Sequence, residues 1–424
     1  MKKFLALFLV AVMTLGCMTM FASCGDNTDG KGMTESPLPA PEIKGTVEIP
    51  AEFKIGFIFL HDENSTYDAN FINAANAVKK ALNLSDDQVI MKKNIAESDD
   101  CYNAAIELAD KGCKVVFADS FGHESFMLQA AQARPDTEFC HATGTLAHTA
   151  GVPNYHNAFA NIYEGRYLAG IVAGLKLNEM IENGTITADK AVMGYVGAFT
   201  YAEVISGLTS TYLGAKSVCP SVTMKVQFTG SWYAEDLEQE AATALINAGA
   251  VLMSQHADSM GAPSACEIAG VPDVSYNGST FDACPETFLV SSAINWAPYF
   301  QLIIESAVKG EAIPADWCGG IKEGSVVLSG INEDAAAEGS LKAVEDAIAE
   351  FKAGTLHVFD TSKDNFITVN GQKLTTYMAD VNTDANYEKD TEAIKNGYFA
   401  ESEYRSAPYF DLTIDGIEFL NSKF

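Results

Sequence analysis

The stretch KVVFADSFGHESFMLQAA, residues 114–131, changes character in its middle. Lys114 to Ala118 is a short, β-branched apolar run, the pattern of a strand buried on both faces. Phe126 to Ala131 is the apolar side of a helix. Between them lies Asp119-Ser120-Phe121-Gly122-His123-Glu124, a polar turn with one large ring. Asp119 or Ser120 suits a helix N-cap. Phe121 serves no turn geometry, so its place on a strand-to-helix shoulder needs another reason.

The same strand-then-helix unit recurs outward from there. Strands are predicted at 53–60, 88–92, 115–118 and 138–141, with helices at 69–82, 101–111 and 125–134 between them. After Glu164 the pattern restarts, with helices at 167–180, 202–214, 235–248 and 262–269. Strands at 191–196, 222–228, 251–255, 274–276 and 288–294 alternate with them. Two successive arrays of this kind imply an α/β protein of two parallel-sheet lobes, each doubly wound. Elements beyond Phe288 exceed what the second lobe needs, so the chain crosses back. Residues 367–374, with Val369-Asn370-Gly371-Gln372 at the turn, read as a β-hairpin.

The chain has 424 residues, enough for two domains, with 56 acidic against 27 basic and a net charge of −29. That surface repels phosphate backbones and anionic headgroups, which argues against nucleic acid and peripheral lipid as partners. Met1-Lys2-Lys3 and the apolar run Phe4 to Met13 have the form of a signal peptide over residues 1–23. Phe21-Ala22-Ser23-Cys24 resembles a bacterial lipobox, making Cys24 the candidate lipidation site. Cys17 competes, but Cys24 is followed at once by a polar stretch, 24–51, expected to be a flexible tether. A plain cleaved secretory signal is the alternative. The other seven cysteines are scattered singly, without zinc spacing, and read as buried fillers.

Ligands of open α/β sheets sit beyond the carboxyl ends of the strands. Those exits carry aromatic and acid or amide residues where Gly, Asn or Ser would suffice. They are Asp62 and Tyr67, then Ser120, Phe121 and Gly122, then Phe199, then Trp232, then His256 and Asp258, then Asn277, and finally Asn295 with Trp296. Each has a plain alternative, as cap, core ring or hydrogen-bonded structural imidazole. It is the recurrence that points to a ligand. No phosphate loop, dinucleotide fingerprint or nucleophile elbow is present. Asp62 with His256 could be drawn as a hydrolytic pair, but nothing else supports an enzyme. No catalytic residue, metal or cofactor is assigned.

The segment Asn161-Ile-Tyr-Glu-Gly-Arg-Tyr-Leu-Ala-Gly-Ile-Val-Ala-Gly174 joins Ser120-Phe121-Gly122, His141-Ala142-Thr143-Gly144, Ser231-Trp232-Tyr233 and Gln255-His256-Ala257-Asp258-Ser259 in a specific pattern. From about Phe53 to Phe359 it resembles the BMP (basic membrane protein) family, substrate-binding lipoproteins of ABC importers related to purine nucleoside receptor lipoproteins. The resemblance implies a type I periplasmic-binding fold, two lobes joined by three crossovers. Residues 52–163 plus 290–320 would form the N-terminal lobe, and 164–289 plus 321–424 the C-terminal lobe. It also implies a monomer anchored outside the cytoplasm, closing on a purine base or nucleoside and handing it to ABC permease subunits. A ligand sensor of the same fold without a permease is the alternative. Adenine-binding relatives carry a tryptophan where this chain has Ser65, and nucleoside receptors carry a lysine near Asn295. The missing lysine favours a free base, adenine first.

Overall fold

The computed structural model describes residues 32–382 and 388–421. The expected signal peptide and both candidate lipid cysteines, Cys17 and Cys24, lie outside these residues. Among the described residues, no helix is long and apolar enough to cross a membrane.

The opening stretch folds as its pattern requires. Val115–Ala118 (β3) is buried along its whole length, and Glu124–Ala133 (α3) follows it after a 3-10 turn at Phe121–His123. Around it lie Ile55–Ile58 (β1), Thr66–Ala81 (α1), Val89–Lys92 (β2), Asp99–Asp110 (α2), Glu138–Ala142 (β4) and Tyr155–Ala160 (β5). With Asp316–Gly319 (β11) these strands form an all-parallel sheet in the order β11-β5-β4-β3-β1-β2. β5 escaped the sequence pattern because His156 and Asn157 interrupt its apolar run, although both are buried.

The second sheet contains Val192–Gly197 (β6), Thr223–Phe228 (β7), Leu252–His256 (β8), Asp273–Tyr276 (β9), Phe288–Ile294 (β10) and Val326–Leu328 (β12). Its order is β12-β10-β9-β8-β6-β7, extended past β7 by the last strand, Ile417–Phe419. Only β12 runs antiparallel. Ile162–Glu182 (α4), Ala202–Val218 (α5), Glu235–Asn247 (α6) and Gly261–Ala269 (α7) accompany it. Ala297–Lys309 (α8) packs against α1 on the first sheet, and Ser340–Ala353 (α9) packs against α4. The chain therefore passes between sheets three times, after β5, after β10 and after β11. β10 belongs wholly to the second sheet, so its crossing follows Ile294 rather than starting at 290.

The glycine-rich run in α4 has a packing cause. A Cβ on Gly170 would stand 2.2 Å from the Thr211 carbonyl oxygen, and one on Gly214 would stand 2.1 Å from that of Tyr167. α4 and α5 meet backbone to backbone, a fit that only missing side chains permit. The hairpin at 368–373 forms as expected. Asn370 (φ 52°) and Gly371 (φ 73°) supply the two left-handed residues its turn demands. Six of the seven remaining cysteines are buried fillers, and Cys318 is half-buried.

One expectation is corrected. The described part of 24–51 does not run free. Thr34 N–H donates to the Ile331 carbonyl at 2.9 Å, Ser36 Oγ donates to that of Leu328 at 2.6 Å, and Leu38 is buried. Farther on, Thr46 N–H donates to Glu305 at 2.9 Å, and Gln301 donates to the Lys44 carbonyl at 2.7 Å. Polar composition suggested a tether, but Leu38, Ile43 and Ile49 give the segment enough apolar area to pack.

Candidate functional site

The carboxyl ends of both parallel sheets face one cleft, and the lobes close it. Thr66 N–H donates to the Asp258 carbonyl at 3.1 Å, and Asn70 Nδ2 donates to Asn277 Oδ1 at 3.0 Å. The His61 and Tyr233 rings lie 5.5 Å apart across the same seam. What remains is a slot of about 20 Å³, on the measure by which a single water needs roughly 10–15 Å³. Tyr67, Asp68, Ser120, Phe121 and Thr143 line it from the first lobe, and Glu203, Trp232, His256 and Asp258 from the second.

One wall is aromatic. Phe121 stacks on Tyr201 at 5.0 Å, Tyr201 on Phe199 at 5.1 Å, and Phe199 meets Trp232 edge-on at 4.9 Å. Tyr67 is held by its hydroxyl, which donates to the Asp119 carbonyl at 2.8 Å.

The other surfaces are acidic. Burial, reinforced by the charges of Asp68, Glu238 and Glu203, pushes Asp258 well above the usual carboxylate range. Burial and the adjacent Asp68 do the same to Asp119, which lies behind the slot. Burial works against Asp68 too, but hydrogen bonds from His61 and Ser65 hold its carboxylate below the ordinary value. The two carboxyls are thus pushed in opposite directions, Asp119 upward and Asp68 downward. Burial lowers His256, outweighing the hydrogen bond to Glu203 Oε1 at 3.5 Å, and the Arg166 charge lowers it further. A neutral imidazole beside Glu203 can donate from one nitrogen and accept at the other.

The profile of the Bmp family, described as ABC transporter substrate-binding protein PnrA-like, matches residues 58–353. The chain belongs to the Bmp family. Bmp proteins are solute-binding components of ABC importers, not enzymes, and they work outside the cytoplasm with permease partners. A purine-binding protein of Brucella abortus (strain 2308) is 29% identical over 326 residues, covering 75% of this chain and 86% of that relative. A putative ABC transporter glucose-binding protein of Haloferax volcanii is 32% identical over 257 residues, 60% of this chain and 62% of the relative. Among solved structures, an ABC transporter solute-binding protein from Conexibacter woesei matches with TM-score 0.58 at 19% identity, covering 74% of this chain and 99% of that one. The fold is the type I periplasmic-binding one, as expected.

In this Bmp protein the sequence-selected residues divide. Tyr67, Ser120, Phe121, Trp232, His256 and Asp258 line the slot. Phe199 braces the aromatic wall from behind. Gly122 donates its N–H to Glu97 at 2.7 Å, and Ser120 Oγ donates to the same carboxylate at 2.6 Å, so Glu97 fixes the Phe121 turn.

Four others do different work. Asp62 accepts from the backbone and side chain of Asn64 within its own turn, at 3.1 and 2.8 Å. Asn277 is left-handed (φ 61°) and ties the lobes through Asn70. Asn295 brackets the crossover, donating to the Gly324 carbonyl and accepting from Ala297 N–H. Trp296 is core, 4.4 Å from the Phe71 ring and 1% exposed. It follows a strand of the second sheet, but the chain there is already crossing into the first lobe.

Sequence reasoning passed over Asp68, Thr143, Tyr201 and Glu203. Asp68 and Glu203 sit in first helical turns, where acids are ordinary dipole partners. Thr143 is the one with a legible signal, inside the His141-Ala142-Thr143-Gly144 motif.

Proposed function

We propose that this Bmp protein captures a purine in the interlobe slot, with an adenine-type base favoured, and delivers it to its permease. The observation that carries the reading is the pairing of the slot-lining rings Tyr67, Phe121 and Trp232 with the carboxyl groups of Asp258 and Glu203. A flat heteroaromatic ring stacks on Phe121, a contact worth about 1–3 kcal/mol. The Glu203 carboxylate oxygens accept hydrogen bonds, which suits an exocyclic amine and opposes a carbonyl at the same position. The Asp258 carboxyl, whose proton burial favours, both donates and accepts. The Brucella relative's purine-binding name agrees with this. We also propose that residues 1–23 are removed, that Cys24 carries the lipid, and that the protein acts as a monomer.

A hexose is the second reading, suggested by the name of the Haloferax relative. The three aromatic rings on the slot's lining, Tyr67, Phe121 and Trp232, favour a flat heteroaromatic ring. Calorimetric titration of the lipid-free protein with adenine, hypoxanthine, guanine and glucose separates them. Adenine should bind most tightly, ahead of hypoxanthine by about ten- to a hundredfold, since a carbonyl facing a buried acceptor leaves both unpaired. Glucose binding with no purine binding would overturn the proposal.

A further inference from the structure

Arg166, near the start of α4, is a guanidinium only 1% exposed. Its Nη2 donates to the Gln255 carbonyl at 2.6 Å and to the Tyr195 hydroxyl. Its Cζ stands 4.0 Å over the centre of the Tyr276 ring. Nε and Nη1 are buried and have no hydrogen-bond partner among the described residues. A guanidinium held in the interior with two of its nitrogens idle is costly, so its place needs a reason.

The reason lies one residue along β8. Gln255, whose carbonyl Arg166 holds, is followed by His256, and the Tyr276 ring lies 4.6 Å from that imidazole as well. The two side chains converge at Gly207 on α5. A Cβ there would stand 2.7 Å from His256 Nδ1 and 3.5 Å from Arg166 Nε, so the absent side chain leaves cation and imidazole as neighbours. Nδ1 is buried and has no partner among the described residues, while Nε2 faces Glu203 Oε1 at 3.5 Å. His256 and Glu203 both line the slot, and Arg166 stands behind them.

Chemistry then selects one form of the ring. A guanidinium can only donate, so Nδ1 on its side is the acceptor. An ionised carboxylate can only accept, so Nε2 carries the hydrogen. The opposite tautomer would set donor against donor and acceptor against acceptor. A doubly protonated ring would suit Glu203 but place a second positive charge beside Arg166. The other titratable groups around the ring are Tyr276 from β9 and Tyr195 from β6. His61, Tyr67, Asp68 and Asp258 share the slot with it. Burial first, and the Arg166 charge after it, hold the imidazole below its ordinary value against the pull of Glu203.

We propose that Arg166 is a positioning residue for the slot, fixing His256 as the neutral tautomer whose Nε2–H is directed at Glu203. With that hydrogen committed to Oε1, Oε2 of Glu203 is the acceptor left for a ligand's donor. The arrangement persists into acid, because Arg166 opposes a second proton on the ring. A receptor working outside the cytoplasm thereby keeps one donor pattern at this wall as the external pH falls. The consequence for affinity rests on the purine reading above, and the tautomer does not.

The test is imidazole-nitrogen NMR of the full mature chain labelled at histidine, from about pH 7.5 down to about pH 5. His256→Gln assigns the signals, and Arg166→Met and Arg166→Lys remove and retain the charge. Melting curves verify that the variants fold. In the natural protein His256 should stay neutral with its hydrogen on Nε2. In Arg166→Met it should titrate at least about one pH unit higher, and Arg166→Lys should restore the lower value. Calorimetry with adenine should show the affinity of Arg166→Met, relative to the natural protein, falling several-fold between about pH 7.5 and about pH 5. A hydrogen on Nδ1, or a charged ring near pH 7, in the natural protein would overturn the proposal whether or not the variants fold. Unchanged titration of His256 in Arg166→Met would overturn it too. Failure of every form to bind adenine would remove the purine reading and leave the tautomer to decide the role of Arg166.

Discussion

Phe121 of the first lobe and Tyr201 of the second stack across the cleft with ring centroids 5.0 Å and planes 27° apart. They remain 38% and 36% exposed, unusual for large rings in contact. Their pairing makes the mouth of the slot a joint product of both lobes. The ring on the strand-to-helix shoulder thereby has a partner in the other lobe, and under the proposed function it is also the platform for the base.

Phe121→Ala should therefore weaken adenine binding by about 1–3 kcal/mol, roughly five- to a hundredfold, while the melting temperature hardly moves. Calorimetry and thermal melting on one preparation check both halves. A large stability loss with unchanged affinity would make the ring structural.

The unliganded protein should be more stable near pH 5 than near pH 7.5. Burial pushes Asp273, Glu164 and Glu401 up to about 7, and Asp258 and Asp119 well above the ordinary carboxylate range. Each binds its proton more tightly folded than unfolded, so stability falls as pH rises from the ordinary value near 4 through the raised one. The carboxylates whose values are lowered titrate below this window. The buried His123, His141 and His256, lowered by burial, oppose the trend up to about pH 6.5 but are outnumbered by the five raised acids. Asp258→Asn should flatten part of the slope. Urea midpoints rising from pH 5 to 7.5 would contradict the assignment.

Closure rests on few interlobe bonds, of which Asn70 to Asn277 is the most easily removed. Asn70→Ala should open the unliganded form, seen by small-angle scattering as a larger radius of gyration, and weaken purine binding several-fold because part of the binding energy must then close the lobes. Identical scattering and affinity would show that the bond contributes nothing to closure.

At the α4–α5 contact, Gly170→Ala should cost about 1–3 kcal/mol of stability, because the new methyl meets the Thr211 carbonyl rather than a side chain that can rotate away. A chemical melt gives the number directly.

On anchoring, Cys24→Ala should release the protein to the medium or leave an unprocessed precursor, read by membrane fractionation. Release by Cys17→Ala in its place would move the lipid site.

The architecture was legible because strands buried on both faces read as unbroken apolar runs, as at Val115–Ala118. β5 was not, since buried His156 and Asn157 look like loop residues until their partners are known. For the site, proximity to a strand exit found the rings of Phe121 and Trp232 and the polar pair His256 and Asp258. The same rule failed at Asn295 and Trp296, where the exit leads into a crossover. It also missed Glu203, whose role depends on the cavity behind its helix start. The packed segment 33–49 was misread because a few apolar side chains decide docking while composition registers only the polar majority.

The most direct measurement is a crystal structure of the mature protein grown with adenine. The purine should lie between the lobes with its face against Phe121 and its amine within hydrogen-bond distance of Asp258 or Glu203. A ring bound away from the Phe121 wall, or its carbonyl-bearing analogue hypoxanthine held in the same pose with equal occupancy in competition, would contradict the assignment.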